Sequence, residues 1–397
     1  MSWTDIIRLE LNADGEKKYS DDGMLVGLKE RPDETDLENA VDITELYNNN
    51  EEFKKIWDEI TSFFDDDFDE DYYLKRKVFE KESLEYILKS MFFGVAVGDA
   101  LGVPFEFLSR RYFYENKVTD MVGFRTHNQP LGTFSDDSSL TFCLAESLIN
   151  GYNPTDMAEK FVAWYCDGYW SAHGSVFDIG YATRRSIERF SVGTPALLAG
   201  CTGENENGNG SLMRIAPLVF LSYFKSIEIR FLLAYQVSSI THRHIRSAIS
   251  CFIYLEFILL LIKGKDKFEA FKEIQSDIPN FLNEIEIPTV EIEIFNRLFS
   301  EDFISLNENE IYSSGYVVHT LEASIWCFLN TDSYETAVLK AVNLGDDTDT
   351  TAAVTGAMAG IYYGFDNIPD NWTNAVAKKG ELIDLAKRMA VRFRIFM

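Results

Sequence analysis

Between Ala341 and Gly364 the chain reads AVNLGDDTDTTAAVTGAMAGIYYG, and Asp346, Asp347 and Asp349 stand in it with no Lys or Arg to balance them. Thr348, Thr350 and Thr351 alternate with or follow the acids, and small residues recur at Ala352, Ala353, Gly356, Ala359 and Gly360. The pattern predicts a helix that begins within or just after the acidic run and packs closely through a small face. Unpaired N–H groups at a helix N-terminus favour an acid there. They account poorly for a group of acids, because carboxylates gathered out of water push one another's pKa upward. A bound cation removes that penalty. A second acidic mouth, Ser135, Asp136, Asp137 and Ser138, lies in PLGTFSDDSSLTFCLAESL and also leads into an apolar helical pattern. Capping explains the second stretch alone; together the two read as half-sites that meet in space.

The donor types narrow the cation. Carboxylates and hydroxyls are hard oxygen ligands, suited to Mg²⁺ or Mn²⁺ rather than zinc. The chain has five histidines, none in an HExxH arrangement, and five scattered cysteines with no CxxC pair. An EF-hand needs a bidentate Glu at its twelfth position. Counted from Asp346 or Asp347, that position is Ala357 or Met358.

Two further stretches can contribute. In FFGVAVGDALGVPFEF, Gly94, Gly98 and Gly102 recur every fourth residue and permit close helix approach. Asp99 lies inside this pattern, and Glu106 follows Pro104 between Phe105 and Phe107. A Glu at an apolar edge is either a solvated loop acid or a partly desolvated general base. In ENENGNGSLMRIAPL, Gly208 and Gly210 flank Asn209, and a helix is expected near Ser211. Such a turn can cradle a phosphate through backbone N–H groups, or it is an ordinary helix entry.

The elements that must position these residues read as helices. SLEYILKSMFFGVAVGDALG, SLTFCLAESLIN, PTDMAEKFVAWYCDG, RFLLAYQVSSITH and GYVVHTLEASIWCFLN all carry apolar residues at helical spacing. No strand–helix alternation and no phosphate-binding GxxxxGK[ST] loop is found. The 397 residues, 46% hydrophobic and 25% charged, can fill a sizeable core. A net charge of -27 repels nucleic-acid phosphate, so no nucleic-acid partner is expected. The most apolar run, CFIYLEFILLLIKG from Cys251, is broken by Glu256 and short for a bilayer, so no membrane association is expected. With no basic, apolar leader and no disulfide pattern, a cytoplasmic location is expected.

Composition changes near residue 85. Residues 1–85 form an acidic extension, densest at DDDFDED from Asp65, that carries about half of the net charge. A weak hairpin signal lies in IIRLELNADGEKKY, and Phe53, Ile56, Trp57, Ile60 and Phe64 have helical spacing.

The order GDALGVPFEF, FSDDSSLTF, GNGSLMRIAPL, SSITHRHIRSAIS, GYVVHTLEASIW and NLGDDTDTTAAVTGAMAGIYYG resembles the ADP-ribosylglycohydrolase family, which includes the dinitrogenase reductase-activating glycohydrolases. The resemblance covers residues 86–397. It implies an all-α, compact, orthogonal multi-helix domain around two divalent cations, Mg²⁺ or Mn²⁺. It also implies hydrolysis of the N-glycosidic bond between ADP-ribose and a modified protein side chain, most often arginine. By motif position it implies Ser135, Asp136 and Asp137 as metal ligands from one mouth, with Ser135 where the family more often has Thr. From the other mouth it implies Asp347, Asp349 and Thr350, with Asp346 replacing a Gly of many relatives. Glu106, Asp137 and Asp349 would serve catalysis, Glu106 by gating the site or assisting the water. Asp99 would lie beside the site, and Asn209, Gly210 and Ser211 would embrace the phosphates. His242 falls in a motif that lines the substrate side, or is a packed histidine. His319 is given no chemistry.

The extension is either a packing element or a means of entering the basic cleft of an ADP-ribosyltransferase. Some bacterial members of the family act as immunity proteins against such toxins. The alternative to an enzyme is a catalytically inactive structural or binding protein on the same fold, as in lens crystallins; intact acid sets speak against it.

Overall fold

The computed structural model describes residues 81–393. The expected hairpin, the helix around Phe53–Phe64, the acidic run from Asp65 and the very C-terminus lie outside the described residues. Among the described residues the fold is all-α. The chain runs through α1 (Lys81–Gly102), α2 (Arg110–Glu115), α3 (Asp136–Ile149), α4 (Pro154–Asp167) and α5 (Tyr181–Ser191). It continues through α6 (Leu218–Ser222), α7 (Ile227–Ser239), α8 (Ile245–Ile262), α9 (Lys267–Glu284) and α10 (Thr289–Glu293). Then come α11 (Val317–Leu329), α12 (Tyr334–Asn343), α13 (Thr348–Tyr363), α14 (Asp370–Ala375) and α15 (Lys379–Phe393). Two isolated bridges, Cys201 with His242 and Gly208 with Tyr316, are the strand-like pairings described.

The centre of the fold is the α1–α13 pair. From Ser90 to Gly102 every residue of α1 is buried, so it has no solvent face and must be enclosed by neighbours. α13 meets it through small residues. A Cβ added to Gly94 would lie 2.2 Å from the Gly356 carbonyl oxygen, and one added to Gly98 would lie 2.2 Å from that of Ala352. The reverse also holds, since a Cβ on Gly356 would lie 2.1 Å from the Gly94 oxygen. The two backbones therefore touch without side chains between them, and glycine alone permits this. α3 and α15 pack on α1, while α8, α11 and α12 pack on α13. α1 stops at Gly102, where Pro104 opens a single 3₁₀ turn, Val103–Phe105.

α8 contains the apolar run noted in the sequence. It is 18 residues long with a mean hydropathy of 2.0, long and apolar enough to cross a membrane by composition, but 94% of it is buried inside the protein. Its interruption, Glu256, is met by Nε and Nη2 of Arg230 at 2.5 and 2.6 Å.

One local expectation is corrected. No α-helix starts near Ser211; residues 209–216 form successive turns and α6 begins at Leu218. Pro217 has no N–H to give to the Met213 carbonyl, so a helix through this segment would lose that bond. Thr141 Oγ1 donates to that carbonyl at 3.3 Å instead.

Candidate active site

The α1–α13 seam ends where the chemistry begins. At Gly102 a Cβ would lie 2.3 Å from the backbone nitrogen of Asp349, so the last turn of α1 abuts the first turn of α13. Thr348 Oγ1 donates to the Gly102 carbonyl at 2.8 Å and ties the two ends together. One turn earlier on α1, Asp99 points to the start of α3. Its carboxylate accepts from Ser135 N–H at 2.9 and 3.0 Å, from Ser138 N–H at 3.0 Å and from Ser138 Oγ at 2.6 Å. Asp99 thus caps α3 from a neighbouring helix, satisfying N–H groups that an α-helix leaves free. Sequence reading placed it beside the site; its observed contacts make it the joint between α1 and the first acidic mouth.

The two mouths meet. Asp99, Asp137 and Asp349 each offer an oxygen within 4.8 Å of the others, and Glu106, Asp178 and Asp349 do the same. Asp349 is common to both sets. Ser135 Oγ donates to Asp137 Oδ2 at 2.7 Å. Asn209 Nδ2 donates to Asp347 Oδ2 at 2.8 Å. The Thr350 N–H donates to Asp349 Oδ1 at 3.0 Å. The opposite oxygens, Asp137 Oδ1, Asp347 Oδ1 and Asp349 Oδ2, are buried with no hydrogen-bond partner. An anionic oxygen without donors is costly away from water.

Titration follows this geometry. Burial raises Asp99 to about 6, although its hydrogen bonds pull the other way. Burial raises Glu106 to about 7, opposed by a hydrogen bond from His127 and reinforced by Asp178 and Asp347. Asp137 and Asp349 are pushed well above the carboxylate range by burial and then by their acidic neighbours. Asp136 is raised in the same way by burial, then by Asp178, Asp99 and Glu106. Asp347 is also raised by burial, against its hydrogen bonds.

The remaining sequence candidates divide. Asn209 touches the acid cluster directly. Gly210 lies against His242; a Cβ there would approach the imidazole Cε1 to 2.8 Å and Thr183 Oγ1 to 2.9 Å. Ser211 is fully buried, and its hydroxyl accepts from the Cys251 thiol at 3.5 Å, so its backbone alone faces the turn. His242 is buried beneath the turn with Nδ1 at 2.8 Å from Thr241 Oγ1, and burial lowers it to about 3. Asp346 is exposed with φ of 59°, and its backbone pairs with Phe107 and Leu108 at 2.7 and 2.8 Å. Of the acids at the second mouth, only Asp347 and Asp349 face inward.

Two residues at the site were not singled out from sequence. Asp178 reaches the cluster from the loop before α5 and also lines an adjoining cleft of 590 Å³ with Tyr165, Phe177 and Arg184. His127 reaches Glu106 from the loop before α3. Asp178, set between Phe177 and Ile179, carries the same signal that marked Glu106, an acid in an apolar edge.

The donor set is all oxygen and its unpartnered atoms are anionic, so the residues present fit a hard divalent cation.

Comparison with known proteins gives a consistent picture. The family model described as ADP-ribosylglycohydrolase matches residues 81–395. An ADP-ribosylarginine hydrolase Tri1 of Serratia proteamaculans is 36% identical over 313 residues, 78% of this chain and 80% of the relative. A protein of the same name from Pseudomonas putida is 31% identical over 76% of this chain and 77% of the relative. An ADP-ribosyl-[dinitrogen reductase] glycohydrolase of Rhodospirillum rubrum is 28% identical over 73% and 90%. A solved ADP-ribosylglycohydrolase-related protein complex superposes with a TM-score of 0.66 at 30% identity, covering 80% of this chain and all of that one.

Proposed function

We propose, for a chain that belongs to the ADP-ribosylglycohydrolase family, hydrolysis of the N-glycosidic bond between ADP-ribose and a modified protein arginine. The chain is an ADP-ribosylglycohydrolase; the acceptor is the finer step. Arginine is supported by the relatives named ADP-ribosylarginine hydrolases and by acids that suit a guanidinium leaving group. Reversal of ADP-ribosylation is then the activity, in the cytoplasm, where five free cysteines are at home. The catalytic unit is residues 86–397, with 1–85 as an appended arm.

The observation that carries the site reading is the convergence of Asp137 and Asp349, each with an unpartnered buried oxygen, beside Asp347, which has another. Ser135, Asp136, Asp137, Asp347, Asp349 and Thr350 would hold two divalent cations, Mg²⁺ or Mn²⁺. Bound there, the cations would supply the positive charge that lets these acids stay ionised and would order the ribose hydroxyls. The protein's own part is positional. The scissile bond loosens with positive charge growing on the ribose, which the carboxylates of Asp178 and Asp349 would offset. Glu106, raised to about 7, takes a proton from the water that attacks the anomeric carbon, and the guanidine leaves with the electron pair of the broken C–N bond and takes up that proton. Asn209 and Gly210, with the backbone of Ser211, border the phosphates, and His242 supports that turn from below. The inactive-scaffold alternative is weakened by the same orphaned oxygens, which cost stability unless a ligand meets them.

The test is release of ADP-ribose from an arginine-modified protein with and without EDTA. Release in Mg²⁺ or Mn²⁺ that stops with EDTA is expected; release insensitive to EDTA would remove the cations from the reading. The acidic arm is proposed to bind an ADP-ribosyltransferase toxin whose product the domain removes. Equal toxin affinity in full-length and arm-deleted chains would reject that role.

A further inference from the structure

Glu106 is presented by backbone that is held from two sides. Phe107, next in sequence, has φ of 67°, in the left-handed region that is strained for an aromatic residue. Its N–H donates to the Asp346 carbonyl at 2.7 Å, which locks the turn to the second acidic mouth. On the other side the Thr126 N–H donates to the Pro104 carbonyl and Thr126 Oγ1 to the Glu106 carbonyl, both at 3.2 Å. These bonds fix the main chain and leave the Glu106 side chain free to turn. His127 supplies the missing constraint. Its Nε2 pairs with Glu106 Oε2, and its ring sits 5.9 Å from Phe107 and 5.3 Å from Phe177, the neighbour of Asp178.

We propose that His127 is the positioning residue for Glu106, holding its carboxylate beside Asp178 and Asp349. One imidazole thus joins three loops: the Glu106 turn, its own loop and the Asp178 loop. The ring contacts set its plane, and the hydrogen bond sets the carboxylate. The proposal rests on the hydrolase reading above, in which Glu106 handles the proton of the attacking water.

The test uses the full chain loaded with Mg²⁺ and an ADP-ribosylated arginine substrate. In His127→Ala, kcat should fall about 30-fold while KM stays within about threefold, because orientation is lost and binding is not. His127→Gln retains an N–H donor near the same place and should recover most of the rate. Mn²⁺ affinity by calorimetry and the thermal midpoint should match the parent in both variants. Wild-type kcat in both variants would overturn the proposal. So would a kcat loss that tracks a fall in Mn²⁺ affinity or thermal midpoint without rescue by Gln, since that marks a structural role. A second readout is independent of turnover. In ¹⁵N-histidine-labelled protein, Glu106→Gln should shift the His127 ring signals. An unmoved signal would overturn the pairing, whereas an inactive wild-type chain with a shifted signal would sink the hydrolase reading and leave the pairing standing.

Discussion

Acids in this protein meet two opposite fates. Away from the α1–α13 mouth, buried and half-buried carboxylates are gripped by arginines on both oxygens. Arg230 holds Glu256 at 2.5 and 2.6 Å, Arg246 holds Glu291 at 2.9 and 3.0 Å, and Arg388 holds Glu146 at 2.6 and 2.6 Å. At the mouth the partners of Asp137, Asp347 and Asp349 are a hydroxyl, an amide and a backbone N–H, and the far oxygen of each has none. The fold can neutralise an acid with arginine and does so repeatedly. Leaving the most enclosed acids without a cation is therefore a property of that site among the described residues, none of which supplies the charge it lacks.

The sharpest way to break this contrast is to remove one acid of each kind. Asp349→Asn should abolish turnover, a loss of about a thousandfold or more, and weaken Mn²⁺ binding in calorimetry. Unchanged Mn²⁺ affinity would take Asp349 out of the ligand set. Glu256→Gln should do the reverse. Turnover should remain within about twofold, while stability in urea falls by about 3 kcal/mol because Arg230 is left uncompensated.

A second test moves the mouths apart. Gly98→Ala places a methyl 2.2 Å from the Ala352 carbonyl, which forces α13 and its acids away from Asp99. A stability loss of about 3 kcal/mol, with weaker Mn²⁺ binding, is expected. A variant with parental affinity would show that the seam does not set the acid spacing.

The third test is pH. Asp99 rises from 3.8 to about 6 and Glu106 from 4.5 to about 7 on folding. The cation-free folded state therefore holds more protons than the unfolded chain between about pH 4 and 7, and its stability falls as pH rises through that window. In EDTA the thermal midpoint should drop by several degrees from about pH 5 to about pH 7.5, and Mg²⁺ should reduce the drop. Parallel curves with and without Mg²⁺ would contradict it. The smallest effect is expected at Asp346. It is exposed at φ of 59°, so Asp346→Gly relieves backbone strain. Activity should stay within about twofold and stability should rise by about 0.5 kcal/mol or less. A loss of Mn²⁺ affinity there would mean that Asp346 turns inward when cations bind.

Much of this was legible in sequence for physical reasons. Hydroxyl–acid runs at two helix mouths announced themselves because clustered like charges need a reason. The small residues from Gly94 to Gly102 and from Ala352 to Gly360 each announced a helix packed closely on a neighbour, and that the two face each other is a finding of the structure. Asp178 carries the apolar-edge signal of Glu106 but stands in a loop with no acid run or glycine pattern beside it to draw attention to that signal. His127 was missed because its role depends on a loop folding back onto Glu106, which no local spacing encodes. The expected helix at Ser211 failed because Pro217 outweighed the apolar run around it. The function of Asp99 was half-visible; that it caps a distant helix is a tertiary fact.

The glycine seam has a consequence for temperature. Side chains hop between rotamers as a protein warms, and contacts built from them loosen. Main-chain atoms pressed against main-chain atoms have almost no such freedom. The gap between Asp99 and Asp349 is thus set by a hard stop, while the Glu106 side chain and the Asp178 loop have none. Warming should blur the catalytic rim well before it disturbs the metal cradle.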